Sequence, residues 1–273
     1  MPGTTAMINL DAYFARIGYA GPREATLAVL KAIHALHPAS IPFENLDPLL
    51  ERPVALDLAS VQDKLVHGRR GGYCFEQNAL LSAVLEALGF SVTHLNARVR
   101  WQAPPERPMS PRTHMLLKLD IEGDTYIADV GFGGLLQDAP LRLSPDITQP
   151  TSGTTFRYQR QGEAYMLQAK LATGWHNVYL FTLEPQVAAD YMVSNWFTST
   201  HPQSRFRTNL LMERLLPDKR VSLVDRKLTY RHGDGRVEQR IIADADELDA
   251  IVKTEFGIDP PAGLHTVFDR LPR

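Results

Sequence analysis

Apolar residues recur at intervals of three and four through the first ninety positions of the chain, and at intervals of two through much of the next hundred. The first period is that of a helix with one buried face, the second that of a strand with one buried face. In "REATLAVLKAIHAL" the stripe runs through Leu27, Leu30, Ile33 and Leu36, and before it Asn9 or Asp11 can cap a short helix ending near Gly18. Asp57 caps "LASVQDKLV", which Gly68 ends, and Leu80, Leu81, Val84, Leu85 and Leu88 mark a helix that stops at Gly89. Between the helices, "IPFENLDPLLERPVAL" holds three prolines and reads as an irregular connection.

From Ser91 the pattern predicts strands. Leu95, Ala97, Val99 and Trp101 alternate with His94, Asn96, Arg98 and Arg100, and a proline-rich loop, "QAPPERPMSPR", follows. "THMLLKLDIEGDTYIADVGFG" reads as a hairpin, "TTFRYQRQGEAYMLQAKL" as a second with its turn near Gly162, and "WHNVYLFTLE" as a further strand. The section from Ser91 to about Thr200 is expected to be an antiparallel sheet or small barrel. After it come a hairpin around Gly233-Asp234-Gly235 and a helix, "DADELDAIVKTEF", capped by Asp244 and stopped by Gly257. Helices, then strands, then a mixed piece imply an α+β chain with segregated units, divided near 1–90, 91–200 and 201–273. No internal repeat interrupts this order.

Composition narrows the function classes. With 273 residues the chain exceeds the usual single-domain size, which agrees with two or three packed units. The 29 Lys and Arg against 31 Asp and Glu leave no field that would gather nucleic acid or an anionic membrane, so a small-molecule partner is expected. No apolar run is long enough to span a bilayer, and "MPGTTAMINL" lacks a basic region followed by an apolar one; a cytoplasmic protein is expected. No Cys and His cluster has zinc spacing, and no metal is expected. The single cysteine, Cys74, suits a reducing compartment and leaves one free thiol to explain.

Cys74 falls at the start of the striped helix, after "GRRGGY". Unpaired N–H groups there favour thiolate over thiol. A cysteine nucleophile needs a base and a group to orient that base. Of nine histidines, His34, His37 and His67 lie on or beside the early helices, His94 on a strand and His232 in a turn, where solvation is the plain reading. His114 opens a strand, and Asp129 ends its partner in the apolar setting "YIADVGF", where an unpaired carboxylate is costly. A two-residue turn at Glu122-Gly123 pairs Ile121 with Asp124 and sets His114 and Asp129 on one face as diagonal neighbours. A three-residue turn would set them on opposite faces.

"RGGYCFEQN" from Arg70 to Asn78 resembles the signature of the arylamine N-acetyltransferase family. "PFENL" at 42–46, the His114 strand, "ADVGFGG" at 128–134 and "NWFTSTHPQSRF" at 195–206 resemble further blocks of that family in the same order. The resemblance implies a Cys74–His114–Asp129 triad that passes an acetyl group from acetyl-coenzyme A to an arylamine or arylhydrazine by a ping-pong cycle. It also implies a helical bundle, a central antiparallel β-barrel and a C-terminal α/β lid around a cysteine-protease-like core. By the same analogy Phe43 and Phe132 line the arene pocket. Thr113, Gly131 and Gly133 lie along the coenzyme, with Thr198 and Ser204 as further contacts. Arg70 and Glu44 read as a buried pair holding "PFENL" against the cysteine turn.

Two other readings use the same residues. A cysteine hydrolase or transglutaminase-like acyl transferase needs the same triad, and a non-catalytic binding domain could keep the fold.

Overall fold

The computed structural model describes residues 7–104 and 106–272, so Pro105 of the proline-rich loop and the first six residues of the N-terminal stretch lie outside them. The helix starts follow the caps foreseen from sequence. Asn9 accepts from Ala12 N–H to open Leu10–Ile17, Asp57 from Ser60 N–H to open Leu58–Gln62, and Asp244 from Glu247 N–H to open Ala245–Thr254. Leu27–Ser40 is capped by Thr26, and its buried stripe is Val29, Leu30, Ile33, His34, His37 and Pro38. His34 and His37 are therefore wholly buried rather than solvated, because they stand four residues after Leu30 and Ile33 respectively, on the same face.

The connection after this helix is more ordered than its prolines suggest. Residues 41–49 are all buried, and they form the strand Phe43–Glu44 and the helical turn Leu46–Leu49. Phe43–Glu44 pairs antiparallel with Leu211–Leu215 and forms one edge of a five-stranded sheet completed by Lys219–Val224, Lys227–His232 and Val237–Ile241. The sequence pattern showed one hairpin here; a second turn, with Asp225 at φ 53°, adds another strand. Helices Ala245–Thr254 and Leu264–Phe268 pack on this sheet around Leu223, Leu248 and Phe268.

Eight strands form the other sheet, in the order Leu141–Arg142, Asp124–Ala128, Arg112–Ile121, Val92–Val99, Gly174–Thr182, Ala164–Leu171, Thr155–Gln161, Gln149–Pro150. Its two edges meet, for the Gln149 side-chain amide bonds both main-chain groups of Arg142 and Pro145 bridges Tyr158. The barrel is thus nearly closed. Val92–Val99 departs from strict alternation: a bulge between Ala97 and Arg98 shifts the register, and Asn96 is buried with Leu95 and Ala97. A helix, Ala188–Thr200, occupies a section read from sequence as sheet. The Arg112–Ile121 strand is buried on both faces, with Leu116 in the barrel core and Met115, Leu117 and Leu119 against the Cys74 helix.

Candidate active site

The turn between Arg112–Ile121 and Asp124–Ala128 is two residues long. Ile121 pairs with Asp124 and Leu117 with Ala128, and Glu122 and Gly123 both have positive φ, at 53° and 86°. That is the left-handed backbone of a tight hairpin turn, and it settles which face each side chain takes. His114 Nε2 donates to Asp129 Oδ2 at 2.7 Å. Only 2% of His114 and none of Asp129 is exposed.

Cys74 is the first residue of the helix Cys74–Ala87. Glu76 accepts from Tyr73 N–H at 3.0 Å and fixes that helix start, while the thiol donates toward Thr113 O at 3.6 Å. The glycines around it are matters of close approach. A Cβ on Gly71 would sit 2.2 Å from Pro42 O, and one on Gly131 would sit 2.7 Å from the Cys74 Cα. Gly133 is likewise pressed on the Phe43 ring. The foreseen Arg70–Glu44 pair is present at 2.8 Å, and Asp47, Lys64 and Glu76 extend it into a buried cluster beneath the turn. Burial disfavours charge on Lys64, but Glu76, Glu44 and Asp47 together hold it firmly protonated.

Electrostatics separate His114 from the other buried histidines. Burial disfavours a charged imidazole, yet the Asp129 carboxylate, by charge and hydrogen bond, and the hydrogen-bonded Cys74 outweigh it and push His114 up to about 10. Asp129 is held below the usual carboxylate range: burial works to raise it, and His114, Asn78 and the Gly131 N–H more than offset that. His34 and His37, equally buried and without a carboxylate bond, are lowered by desolvation to about 4 and about 3. At neutral pH His114 is an imidazolium and the other two are neutral.

Sequence reasoning missed three supporting residues. Asn78, one turn after Cys74, donates to Asp129 Oδ1 at 3.1 Å and to Met115 O at 2.8 Å, and accepts from Val130 N–H. Its i+4 spacing from Cys74 was the available signal. Gln77 accepts from His37 Nε2–H and donates to Pro42 O, tying the "PFENL" loop to the Cys74 helix. His34 Nε2 accepts the main-chain N–H of Asp129 at 3.1 Å. Leucine at 34 leaves that N–H buried and unpaired, which costs about 1–3 kcal/mol. A lower Tm is expected, with kcat/KM falling roughly tenfold or more as Asp129 shifts; His34→Gln, which keeps an acceptor, is expected to restore most of both. Equal activity in His34→Leu and wild type would show that Asp129 is held without it.

These groups meet at a cavity of about 560 Å³. Phe43, Phe132, Thr113, Gly131 and Gly133 line it with Cys74 and His114, so every residue singled out for substrate or coenzyme lies on its wall. The Phe132 ring stands edge-on to His114, 5.0 Å between centroids. Thr198 and Ser204 also line it, but their hydroxyls donate to the Ser194 and Thr198 carbonyls and cap local backbone. Arg100, Arg107 and Arg205 border it, and an adjoining cavity of about 320 Å³ adds Arg220 and Arg231. Among the described residues, no group of three or more His, Cys, Asp or Glu could hold a metal ion, and no helix is long and apolar enough to cross a membrane.

A family model described as N-acetyltransferase matches residues 26–262. The arylamine N-acetyltransferase of Escherichia coli is 42% identical over 257 residues, covering 94% of this chain and 91% of that one. The chain belongs to the arylamine N-acetyltransferase family. The enzyme of this name from Mycobacterium tuberculosis superposes with a TM-score of 0.92 at 39% identity, covering 96% of this chain and 100% of that chain. The Mycobacterium marinum arylamine N-acetyltransferase in complex with CoA superposes with a TM-score of 0.93 at 37% identity, covering 97% and 100%. Family membership makes the chain an acyltransferase, with acetyl-coenzyme A as co-substrate, and it agrees with the helical, barrel and α/β architecture described above.

Proposed function

We propose that Cys74, His114 and Asp129 carry the family's acetyl transfer in this chain, with aromatic amines and hydrazines as acceptors and acetyl-coenzyme A as donor. The observation that supports this best is the convergence of a helix-start thiol and an Asp129-charged His114 on the wall of one aromatic-lined cavity. The unit near 1–90 would supply the nucleophile, that near 91–200 the His–Asp pair, and that near 201–273 part of the coenzyme wall.

The chemistry balances as two half-reactions. The Cys74 sulfur attacks the thioester carbonyl, the carbon–sulfur bond to coenzyme A breaks, and coenzyme A leaves as a thiol with the His114 proton. The first-turn N–H groups of the Cys74 helix, which have no intrahelical acceptor, stabilise the oxyanion by about 3 kcal/mol per donor. The amine nitrogen then attacks acetyl-Cys74, neutral His114 takes its proton, and the sulfur is released. Asp129 keeps Nε2 protonated throughout and leaves Nδ1 to face the sulfur. Phe43 and Phe132 offer the flat apolar walls an arene requires, and Thr113, Gly131 and Gly133 flank the route of the pantetheine arm.

Mass spectrometry after mixing with acetyl-coenzyme A alone tests the reading: one acetyl group is expected on Cys74, discharged as N-acetyl product when an arylamine is added. Fast turnover of p-nitrophenyl acetate by water, with no N-acetyl product from added amine, would favour the hydrolase reading instead. An unmodified Cys74 would favour a binding domain. Arg205 lines both cavities and is exposed, so its cation is available to the coenzyme phosphates. Arg205→Glu is expected to raise KM for acetyl-coenzyme A about tenfold and to leave p-nitrophenyl acetate, which has no phosphate, unchanged.

A further inference from the structure

Behind the Cys74 helix lies a second cavity, of about 640 Å³, in whose lining Cys74 has no part. It lies between two helices and the segment from Val54 to Val61. Phe75, Ala79, Ser82, Ala83 and Glu86 face it from the Cys74 helix, a spacing that puts all five on one stripe. Ala188, Tyr191 and Met192 face it from the helix Ala188–Thr200. Ala79, Ala83 and Ala188 are small residues on its wall. Larger side chains there would close it.

Its walls are largely apolar, and its polar lining is Asp57, Ser82, Glu86, His94 and Asn195. At one end His94 Nε2 lies 2.7 Å from Ser82 Oγ, which donates to Glu86 Oε1 at 3.0 Å. Glu86 also stands 3.5 Å from the same histidine nitrogen, so the trio does not have the order of a hydrolytic triad, in which the acid holds the far nitrogen. Asp57 also lines the cavity, and among the described residues no lysine or arginine does. The Cys74 cavity has the opposite character, with Arg100, Arg107 and Arg205 on its wall. An anionic coenzyme suits the latter. A cation with an apolar body suits the former, where Met192, 69% exposed, extends the apolar wall outward as a lip.

We propose that this cavity is a second, non-catalytic site that binds a hydrophobic amine, its apolar body between the helices and its ammonium group at Glu86. The volume is that of a small-molecule site. Its floor residues Phe75 and Met115 directly follow Cys74 and His114, so an occupant presses on the two chain segments that set the distance between nucleophile and base. The site differs from the acceptor pocket in wall, charge and position, and its existence does not depend on the acetyl-transfer reading.

Calorimetric titration of the full chain decides it. With Cys74 first alkylated by iodoacetamide to block the catalytic cavity, the probes are 2-phenylethylamine, its neutral analogue 2-phenylethanol and the anion 3-phenylpropionate. The amine is expected to bind at least about tenfold tighter than either analogue, and Glu86→Gln to remove that advantage while leaving the alcohol unchanged. Ala83→Phe, which fills the cavity, is expected to abolish binding of all three. Ala79→Leu is the smaller filling variant, should Ala83→Phe fail to fold. No saturable binding of the amine, equal binding of the three probes, or binding untouched by both Glu86→Gln and the filling variants would overturn the proposal. No arm involves acetyl transfer, so failure here leaves the triad untouched, and failure of the triad leaves this result intact.

Discussion

Cys74→Ser is expected to lower acetyl transfer by at least about 10⁴-fold while leaving Tm within about 2 °C of wild type. The two halves of that expectation have separate causes. Cys74 is buried and its sulfur donates toward Thr113 O, a contact a hydroxyl can also make, so the helix start and its glycine contacts stay in place. The chemistry does not survive, because a serine hydroxyl keeps its proton beside a histidine that is already charged. His114, pushed up to about 10 by the Asp129 carboxylate, holds its own proton firmly and is a poor acceptor for the proton of a hydroxyl. Paired calorimetric melting and product assay check the expectation, together with loss of the acetyl adduct in the mass spectrum. Turnover near the wild-type rate would exclude the covalent route.

Asp129→Asn is expected to cost about 10⁴-fold in kcat/KM, through His114 rather than through contact with substrate. Two internal references show what burial does to an imidazole here when no carboxylate is bonded to it: His34 falls to about 4 and His37 to about 3. Without the Asp129 charge, His114 is expected to join them and to be neutral at pH 7. The linkage has a definite sign. In the wild type the folded value lies above the ordinary 6.5, so the stability that the pair contributes is full below pH 6.5 and is lost as pH rises toward 10. In Asp129→Asn the folded value lies below 6.5, so the contribution is lost as pH falls instead. Melting curves between pH 5 and 10 check this: the wild type weakens relative to the variant at the alkaline end. Parallel curves across that range would show that Asp129 does not hold the His114 proton.

Much of the active-site geometry was legible because it is local. One helical turn sets where Cys74 lies relative to its cap, and one hairpin turn sets whether His114 and Asp129 share a face. Glu122-Gly123 was one of two turn lengths that the string allowed, and only the structure chose between them. The family blocks supplied the rest of the triad assignment. His34 and His37 show the opposite case. Their positions on the stripe of Leu30 and Ile33 could be counted, but each found its partner far away, His34 at Asp129 and His37 at Tyr13 and Gln77. Burial of a histidine depends on such partners, and sequence periodicity does not supply them.

The amino-acid pattern by itself determined the helices opened by Asn9, Asp57 and Asp244, the hairpins turning at Gly123 and Gly162, the near-balance of charge and the presence of one thiol at a helix start. Those properties depend on residues within a turn or two of each other, or on no neighbour at all. Only the tertiary structure decided that Phe43–Glu44 of "PFENL" is a strand in the C-terminal sheet, that Asn78 and His34 hold Asp129 from two sides, and that a second cavity opens behind the Cys74 helix. Each is a relation between segments distant in sequence. Their contact depends on how whole surfaces pack, and period, propensity and spacing describe one segment at a time.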